Sequence, residues 1–321
     1  MDMRRQLLFA TALCALVSSG CQHQPTEQRG ATTATAAATI VAVAPQVAPA
    51  RAPAPPAPSV TKPAGLQAAV HLPPKIAAGS KVPLFVMLHG LGSSAEMIEQ
   101  LSEWPKFAED HGLAWIAPNG PLDQKGRRFW DAGPSCCNFD GAKVDHVAQL
   151  SELIERVGSN APIDRERIFV GGYSNGGFMA HRLACERPEL VRAIISVAGS
   201  GPLDRSACKK PTALEVLQIQ GDADPIVTYE GGHLFKDPKL PEHVSARKTA
   251  EDWATSLGCD AKPKTLEPVD FEASIPGLET RRERYQNCKL GHVELWTVAG
   301  GAHYIGFRAP GPAAIWQFLN P

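Results

Sequence analysis

Ile168-Phe169-Val170-Gly171-Gly172-Tyr173-Ser174-Asn175-Gly176-Gly177 decides how this chain is read. An apolar, β-branched run ends in glycine, a serine follows, and a helical pattern containing Phe178, Met179, Leu183 and Ala184 begins at once. Residues 172–176 spell G-x-S-x-G, the pattern of a strand–turn–helix elbow that holds a serine hydroxyl in a sharp turn while the glycines let strand and helix approach. Outward from it, apolar runs at 84–88, 113–117, 168–170, 193–198, 214–219 and 293–298 read as buried strands of a mostly parallel sheet. Helical spacing links Val144, Val147, Leu150, Leu153, Ile154 and Val157, and later Ala246, Ala250, Trp253 and Leu257. The alternation predicts an α/β class: a doubly wound sheet with helices on both faces and sites at the carboxyl ends of strands. Residues 199–213 are too few to insert a large helical cap between two strands, so an open cleft is expected.

A serine at neutral pH needs a base within hydrogen-bond reach, and the base needs a carboxylate to fix its tautomer. After the elbow serine the chain order should be acid, then histidine. The strand ending at Ile219 runs into Gln220-Gly221-Asp222-Ala223-Asp224, and the strand ending at Val298 runs into Ala299-Gly300-Gly301-Ala302-His303. His303 is therefore the expected base. Asp224 is preferred as the acid over Asp222, which leaves the strand directly and can cap a turn, although either carboxylate satisfies the order. Two backbone N–H groups should face the carbonyl oxygen: that of Asn175, after the serine, and that of Leu91, in the loop Leu88-His89-Gly90-Leu91-Gly92. His89, Trp130, Tyr173 and Tyr304 are the candidate lining of a substrate pocket. Trp130 and its neighbour Phe129 also read as core, the commoner fate of aromatics beside a buried loop.

The chain has 321 residues, 44% hydrophobic and 20% charged, with a net charge of −1, a globular composition with no basic footprint for nucleic acid. Arg4 and Arg5 precede an apolar run at 7–17 too short to span a bilayer, so 1–20 reads as a signal peptide. It ends in Ser18-Ser19-Gly20-Cys21, which fits either a lipoprotein signal with Cys21 lipidated and attached to a membrane, or plain cleavage. Residues 21–64 are dominated by Ala, Pro, Thr and Val and read as a disordered, extended tether; 65–321 is the folded domain. Of eight cysteines, six fall in that domain: Cys136, Cys137, Cys185, Cys208, Cys259 and Cys288. An even count in an exported domain points to disulfides, with distant partners expected for the adjacent Cys136 and Cys137. No cysteine or histidine spacing fits a zinc site.

With these residues in place, the folded domain resembles the secreted polyhydroxybutyrate depolymerase, feruloyl esterase and acetylxylan esterase group of α/β-hydrolases. The resemblance rests on Val86-Met87-Leu88-His89-Gly90, Phe129-Trp130-Asp131-Ala132-Gly133 followed by Cys136-Cys137, Val144-Asp145, the elbow, Gly221-x-x-Asp224-x-x-Val227, and Gly300-Gly301-Ala302-His303. It implies Ser174 as nucleophile, Asp224 as acid and His303 as base, no cofactor, and a bond between Cys259 and Cys288 that would pin a long loop at 260–289. The sequence departs from the family at Tyr304-Ile305-Gly306, where Trp-Pro-Gly is usual, and at His146, where a second Asp is common. The implied activity is hydrolysis of carboxylic esters, in polyester oligomers or esterified polysaccharide, through an acyl-enzyme. The alternatives are a cell-envelope acyltransferase on the same fold and a non-enzymatic binding protein on a hydrolase scaffold.

Overall fold

Strand β1 (Val82–Leu88) shows how the sheet divides the interior. Successive side chains of a strand point to opposite faces. Leu84, Val86 and Leu88 enter one apolar cluster, and Phe85 and Met87 enter another. The computed structural model describes residues 65–307 and 309–320. The expected signal peptide, tether and lipidated Cys21 lie outside the described residues.

After β1 come helices α1 (Ala95–Leu101) and α2 (Trp104–Asp110), strand β2 (Ala114–Ile116), helix α3 (His146–Asn160) and strand β3 (Ile163–Tyr173). Helix α4 (Asn175–Glu186), strands β4 (Ala193–Val197) and β5 (Leu214–Gly221) and the two-residue pair β6 (Gly232–His233) and β7 (Glu242–His243) follow. Helix α5 (Ala246–Leu257), strands β8 (Pro263–Val269), β9 (Thr280–Tyr285) and β10 (Gly291–Val298), and helix α6 (Gly311–Leu319) complete the described chain. The main sheet has the order β2-β1-β3-β4-β5-β10-β9-β8. It is parallel from β2 through β10, and only the pairings of β9 with β10 and with β8 are antiparallel. Helices α3, α4 and α5 cover one face and α2 and α6 the other, so the central strands are buried on both sides.

All six strands expected from apolar runs are present. Helix α3 begins after Val144 because the Asp145 side chain caps it, accepting from the Ala148 amide (2.9 Å). The connection 199–213 carries no helix or strand, so no cap is inserted there. Residues 260–289 correct the expectation of a long loop, because they contain β8 and β9.

The resemblance implied the bond between Cys259 and Cys288, and the structure forms it, together with one between Cys185 and Cys208. Cys136 and Cys137 correct the expectation of distant partners, because they are bonded to each other. The other four domain cysteines are paired among themselves, which leaves no distant sulfur to accept a bridge.

Candidate active site

Ser174 stands between β3 and α4 with φ 52° and ψ −119°, a left-handed backbone that a residue with a side chain rarely adopts. Its amide donates to Val197 O (2.8 Å), and its carbonyl accepts from the Phe178 amide (3.0 Å) as the first turn of α4. The flanking glycines are there for space. A Cβ on Gly172 would overlap the backbone of Gly176, and one on Gly176 would overlap the carbonyl of Leu88. The elbow therefore closes only with hydrogen at both positions.

The carboxyl ends of β5 and β10 bring the other two groups. Gly221 is packed against Gly301 so tightly that no side chain fits between them. The Ala223 amide donates to Gly301 O (3.1 Å) and the Gly300 amide to Asp222 Oδ1 (2.7 Å), which ties the two loops together. His303 Nδ1–H donates to Asp224 Oδ2 (2.7 Å), and Ser174 Oγ–H donates to His303 Nε2 (3.0 Å). Asp224 is buried, its Oδ1 accepting from the Ile226 (2.8 Å) and Val227 (3.0 Å) amides while Oδ2 also accepts from Gln220 Nε2 (2.9 Å). Of the two carboxylates left open by the sequence, the structure brings Asp224 to the histidine and leaves Asp222 exposed, holding the glycine turn before His303.

His303 and Ser174, at the end of the line from Asp224, border a cavity of about 950 Å³. Its deep end is walled by Phe85, Met87, Trp104, Val197 and Phe307 from the α2/α6 face. Its mouth carries Met97, Phe139, Phe235 and Tyr304, four of the large apolar or aromatic side chains that stay exposed in this protein. None of the first three was read from the sequence as part of a site. They come from separate loops and a helix face, and nothing local distinguishes them from other surface residues.

Leu91 borders the cavity, and Gly90 lies so near the serine that a Cβ on it would stand 3.5 Å from Ser174 Cβ. Asn175 is buried behind Ser174. Its side chain spans the backbone of Trp130, accepting from the Trp130 amide (2.7 Å) and donating to its carbonyl (2.8 Å). Tyr173 borders the cavity and donates its hydroxyl to His303 O (2.7 Å); burial pushes that hydroxyl's pKa up, so it stays a neutral donor. Tyr304 packs edge-on to Tyr173 at the rim.

Of the two readings open for Trp130 the structure gives core, and His89 lines the cavity as expected. Trp130 is fully buried away from the cavity, donates its indole N–H to His89 O (3.0 Å) and packs against His89 and His146, which makes it core. His89 borders the cavity, but its ring is buried and both nitrogens are engaged: Nε2 accepts from the Gly120 amide (3.0 Å) and Nδ1–H donates to Gly90 O (2.8 Å). Burial holds its pKa down to about 4, so the neutral ring braces the 88–92 loop and has no free nitrogen for a substrate. Phe129 is likewise core.

Comparison with known proteins adds to this geometry. Residues 76–246 match the family model described as phospholipase/carboxylesterase. Feruloyl esterase B of Piromyces equi is 28% identical over 257 residues, 78% of this chain and 45% of that protein, so the match spans under half of the relative's length. Feruloyl esterase D of Neurospora crassa is 26% identical over 262 residues, 78% of this chain and 80% of that protein. The structure of an acetyl xylan esterase from Aspergillus awamori matches with a TM-score of 0.55 at 15% identity, covering 80% of this chain and 99% of that one. At that identity the likeness shows the α/β-hydrolase fold alone.

Proposed function

Because this chain belongs to the phospholipase/carboxylesterase family, we propose that it is an exported serine hydrolase of carboxylic esters, of the feruloyl esterase and polyhydroxybutyrate depolymerase type. The observation that carries the reading is the unbroken line from Asp224 through His303 to Ser174 at the edge of an apolar cavity. Ser174 Oγ attacks the ester carbonyl as His303 Nε2 takes its proton, and Asp224 holds the imidazole in the Nδ1–H tautomer and stabilises the imidazolium that forms. The amides of Leu91 and Asn175 receive the oxyanion. His303 then gives its proton to the departing alcohol, leaving an acyl group on Ser174. Water, deprotonated by the same nitrogen, releases the acid.

The cavity divides the substrate. A closed apolar end suits the acyl group, and an open mouth bordered by Phe139, Phe235 and Tyr304 suits a bulky alcohol such as a sugar residue or the next unit of a polyester oligomer. Three disulfides suit an oxidising compartment outside the cytoplasm. In this reading 1–20 directs export, 21–64 is the tether, 65–321 is the hydrolase domain, and Cys21 carries a lipid. Mass spectrometry of the mature N-terminus tests the anchor: a lipidated Cys21 supports it, and an unmodified N-terminus elsewhere ends it.

The testing experiment is a panel of p-nitrophenyl acyl esters, methyl ferulate, acetylated xylan and hydroxybutyrate oligomers, with product analysis in the presence of a sugar acceptor. Ester cleavage to free acid by the wild type, absent in Ser174→Ala, is expected. Acyl transfer to the sugar as the main outcome would instead make the protein an acyltransferase. No turnover of any ester would leave a binding protein.

A further inference from the structure

A chain of buried hydrogen bonds ends on the same Asp224 oxygen that His303 meets. The Trp253 indole N–H donates to His181 Nδ1 (2.9 Å), and His181 Nε2–H donates to Gln218 Oε1 (2.8 Å). Gln218 Nε2 donates to Gly199 O (2.9 Å) and to Gln220 Oε1 (3.4 Å). Gln220 Nε2 donates to Val227 O (2.8 Å) and to Asp224 Oδ2 (2.9 Å). All four side chains are buried, drawn from α5, α4 and alternate positions of β5 that share one face of the sheet.

The polarity of this chain has one solution. An indole N–H only donates, so His181 Nδ1 must accept. Burial pushes the pKa of His181 down to about 4, so the neutral ring has its single N–H at Nε2. Gln218 must then turn its oxygen to His181 and its amide nitrogen to Gly199 O and Gln220. Gln220 in turn offers its oxygen to Gln218 and its nitrogen to Val227 O and Asp224. Neither glutamine can flip without setting donor against donor. With Oδ1 held by two backbone amides, only one carboxylate orientation lets Oδ2 meet both Gln220 and His303.

We propose that Gln220, oriented by Gln218, His181 and Trp253, is a positioning residue that fixes the Asp224 carboxylate for His303. The proposal rests on the roles given to Ser174, His303 and Asp224 above. Gln220 touches neither substrate nor the reacting atoms; it acts through the acid. A network in which every buried donor and acceptor is satisfied holds one geometry where an apolar core would tolerate several.

Gln220→Leu removes the donor at similar volume. The expected result is a fall in kcat of roughly 10- to 100-fold, the scale of a misoriented catalytic group, with KM unchanged. The far-downfield proton resonance of the His303–Asp224 hydrogen bond should shift upfield or broaden. Gln220→Glu puts a second carboxylate beside Asp224. Added negative charge favours protonated imidazole, so the acid limb of kcat/KM should move to higher pH. Tyr173 and His243 also feel the Asp224 charge, Tyr304 packs on Tyr173 and Asp222 holds the Gly300 turn, and both variants leave all four in place. Gln218→Leu, which leaves Gln220 without its upstream anchor, should give the same signature several-fold weaker.

A merely structural role would lower thermal stability and leave the resonance, the acid limb and kcat per folded molecule unchanged, and that result overturns the proposal. If the Gln220 variants do not fold, an unaltered kcat and resonance in Gln218→Leu overturns it equally. Asp224→Asn is assayed alongside. Activity surviving that change sinks the reading of the site itself, whereas activity lost there but kept in Gln220→Leu sinks only the positioning chain.

Discussion

The sheet has two unlike regions. From β2 to β10 the strands are parallel and covered by helices on both faces; every residue of β5 and seven of the eight in β10 are buried. At the other edge, β8 buries only Val269, and β9 only Thr280 and Tyr285. Charged contacts hold that edge: Arg284 pairs with the buried Glu294 of β10, Arg282 lies 4.8 Å over the Trp296 ring in a cation–π contact, and Arg247 of α5 pairs with Glu283 (2.7 Å). The covered strands deliver Ser174, Asp224 and His303 from their carboxyl ends. The antiparallel pair delivers no cavity side chain from its strands. It shields the edge of β10, whose far end carries His303. Chemistry and shielding are thus separable along the sheet, and substitutions should separate them.

The largest effect belongs to the parallel region. Ser174→Ala should lower esterase kcat/KM by at least about 10³-fold without lowering the melting temperature, since Ala relieves no packing and removes only the hydroxyl proposed as nucleophile. Equal loss of stability and activity would blur the division between the regions. Next comes the pair of aspartates. Asp224→Asn should cost about 10⁴-fold, because an amide holds the wrong histidine tautomer, while Asp222→Asn keeps an oxygen for the Gly300 amide and leaves turnover near wild type. The reverse ranking would reassign the acid to the exposed turn.

Breaking the bond between Cys259 and Cys288 tests the shielding region. It closes a loop with a sequence separation of 29, for which chain entropy gives about 3.5 kcal/mol. Cys259→Ser with Cys288→Ser should therefore lower the melting temperature by several degrees, with a smaller fall in turnover at temperatures where the protein stays folded. An unchanged melting curve would show that strand pairing and ion pairs hold β8 and β9 without the bond.

Acid sensitivity is the smallest effect and belongs to the parallel region. Burial pushes His89, His146, His181 and His292 down to about 4 from an ordinary value near 6.5. Between these values the unfolded chain binds more protons than the folded one, so this stability is whole above pH 6.5 and is lost as pH falls toward 4. Glu215, pushed up to about 7 by burial, works the other way, its share present below its ordinary value and lost as pH rises through 7. Four groups against one predict a melting temperature that falls on acidification below pH 6.5. A flat or rising profile would contradict the burial of these rings.

The same contrast explains what was legible beforehand. Strands buried on both faces are mostly apolar, broken only by partnered polar residues such as Gln218, Gln220 and Glu294, so all six showed as apolar runs. Lys264-Thr265-Leu266-Glu267-Pro268 and Arg281-Arg282-Glu283-Arg284 carry no apolar period, because pairing and charge hold those strands, and the segment read as loop. At the site, chain order and the loops after β5 and β10 pointed to Ser174 and His303 and narrowed the acid to Asp222 or Asp224, and the fold brings Asp224 to the histidine. Trp130 stayed open between pocket and core because proximity in sequence to a glycine–cysteine loop says nothing about which way an aromatic faces; it is buried, with its backbone clamped by Asn175. Phe235, in a left-handed turn at φ 56°, and Phe139 reach the mouth only through loop geometry.

The most direct test is the site of covalent capture. The wild-type protein, treated with a serine-directed fluorophosphonate and digested, should yield one modified peptide with the adduct on Ser174, formed at a rate that collapses in His303→Ala and Asp224→Asn. Undiminished labelling of Ser174→Ala, or an adduct on another residue, would contradict a nucleophile at the elbow of β3 and α4.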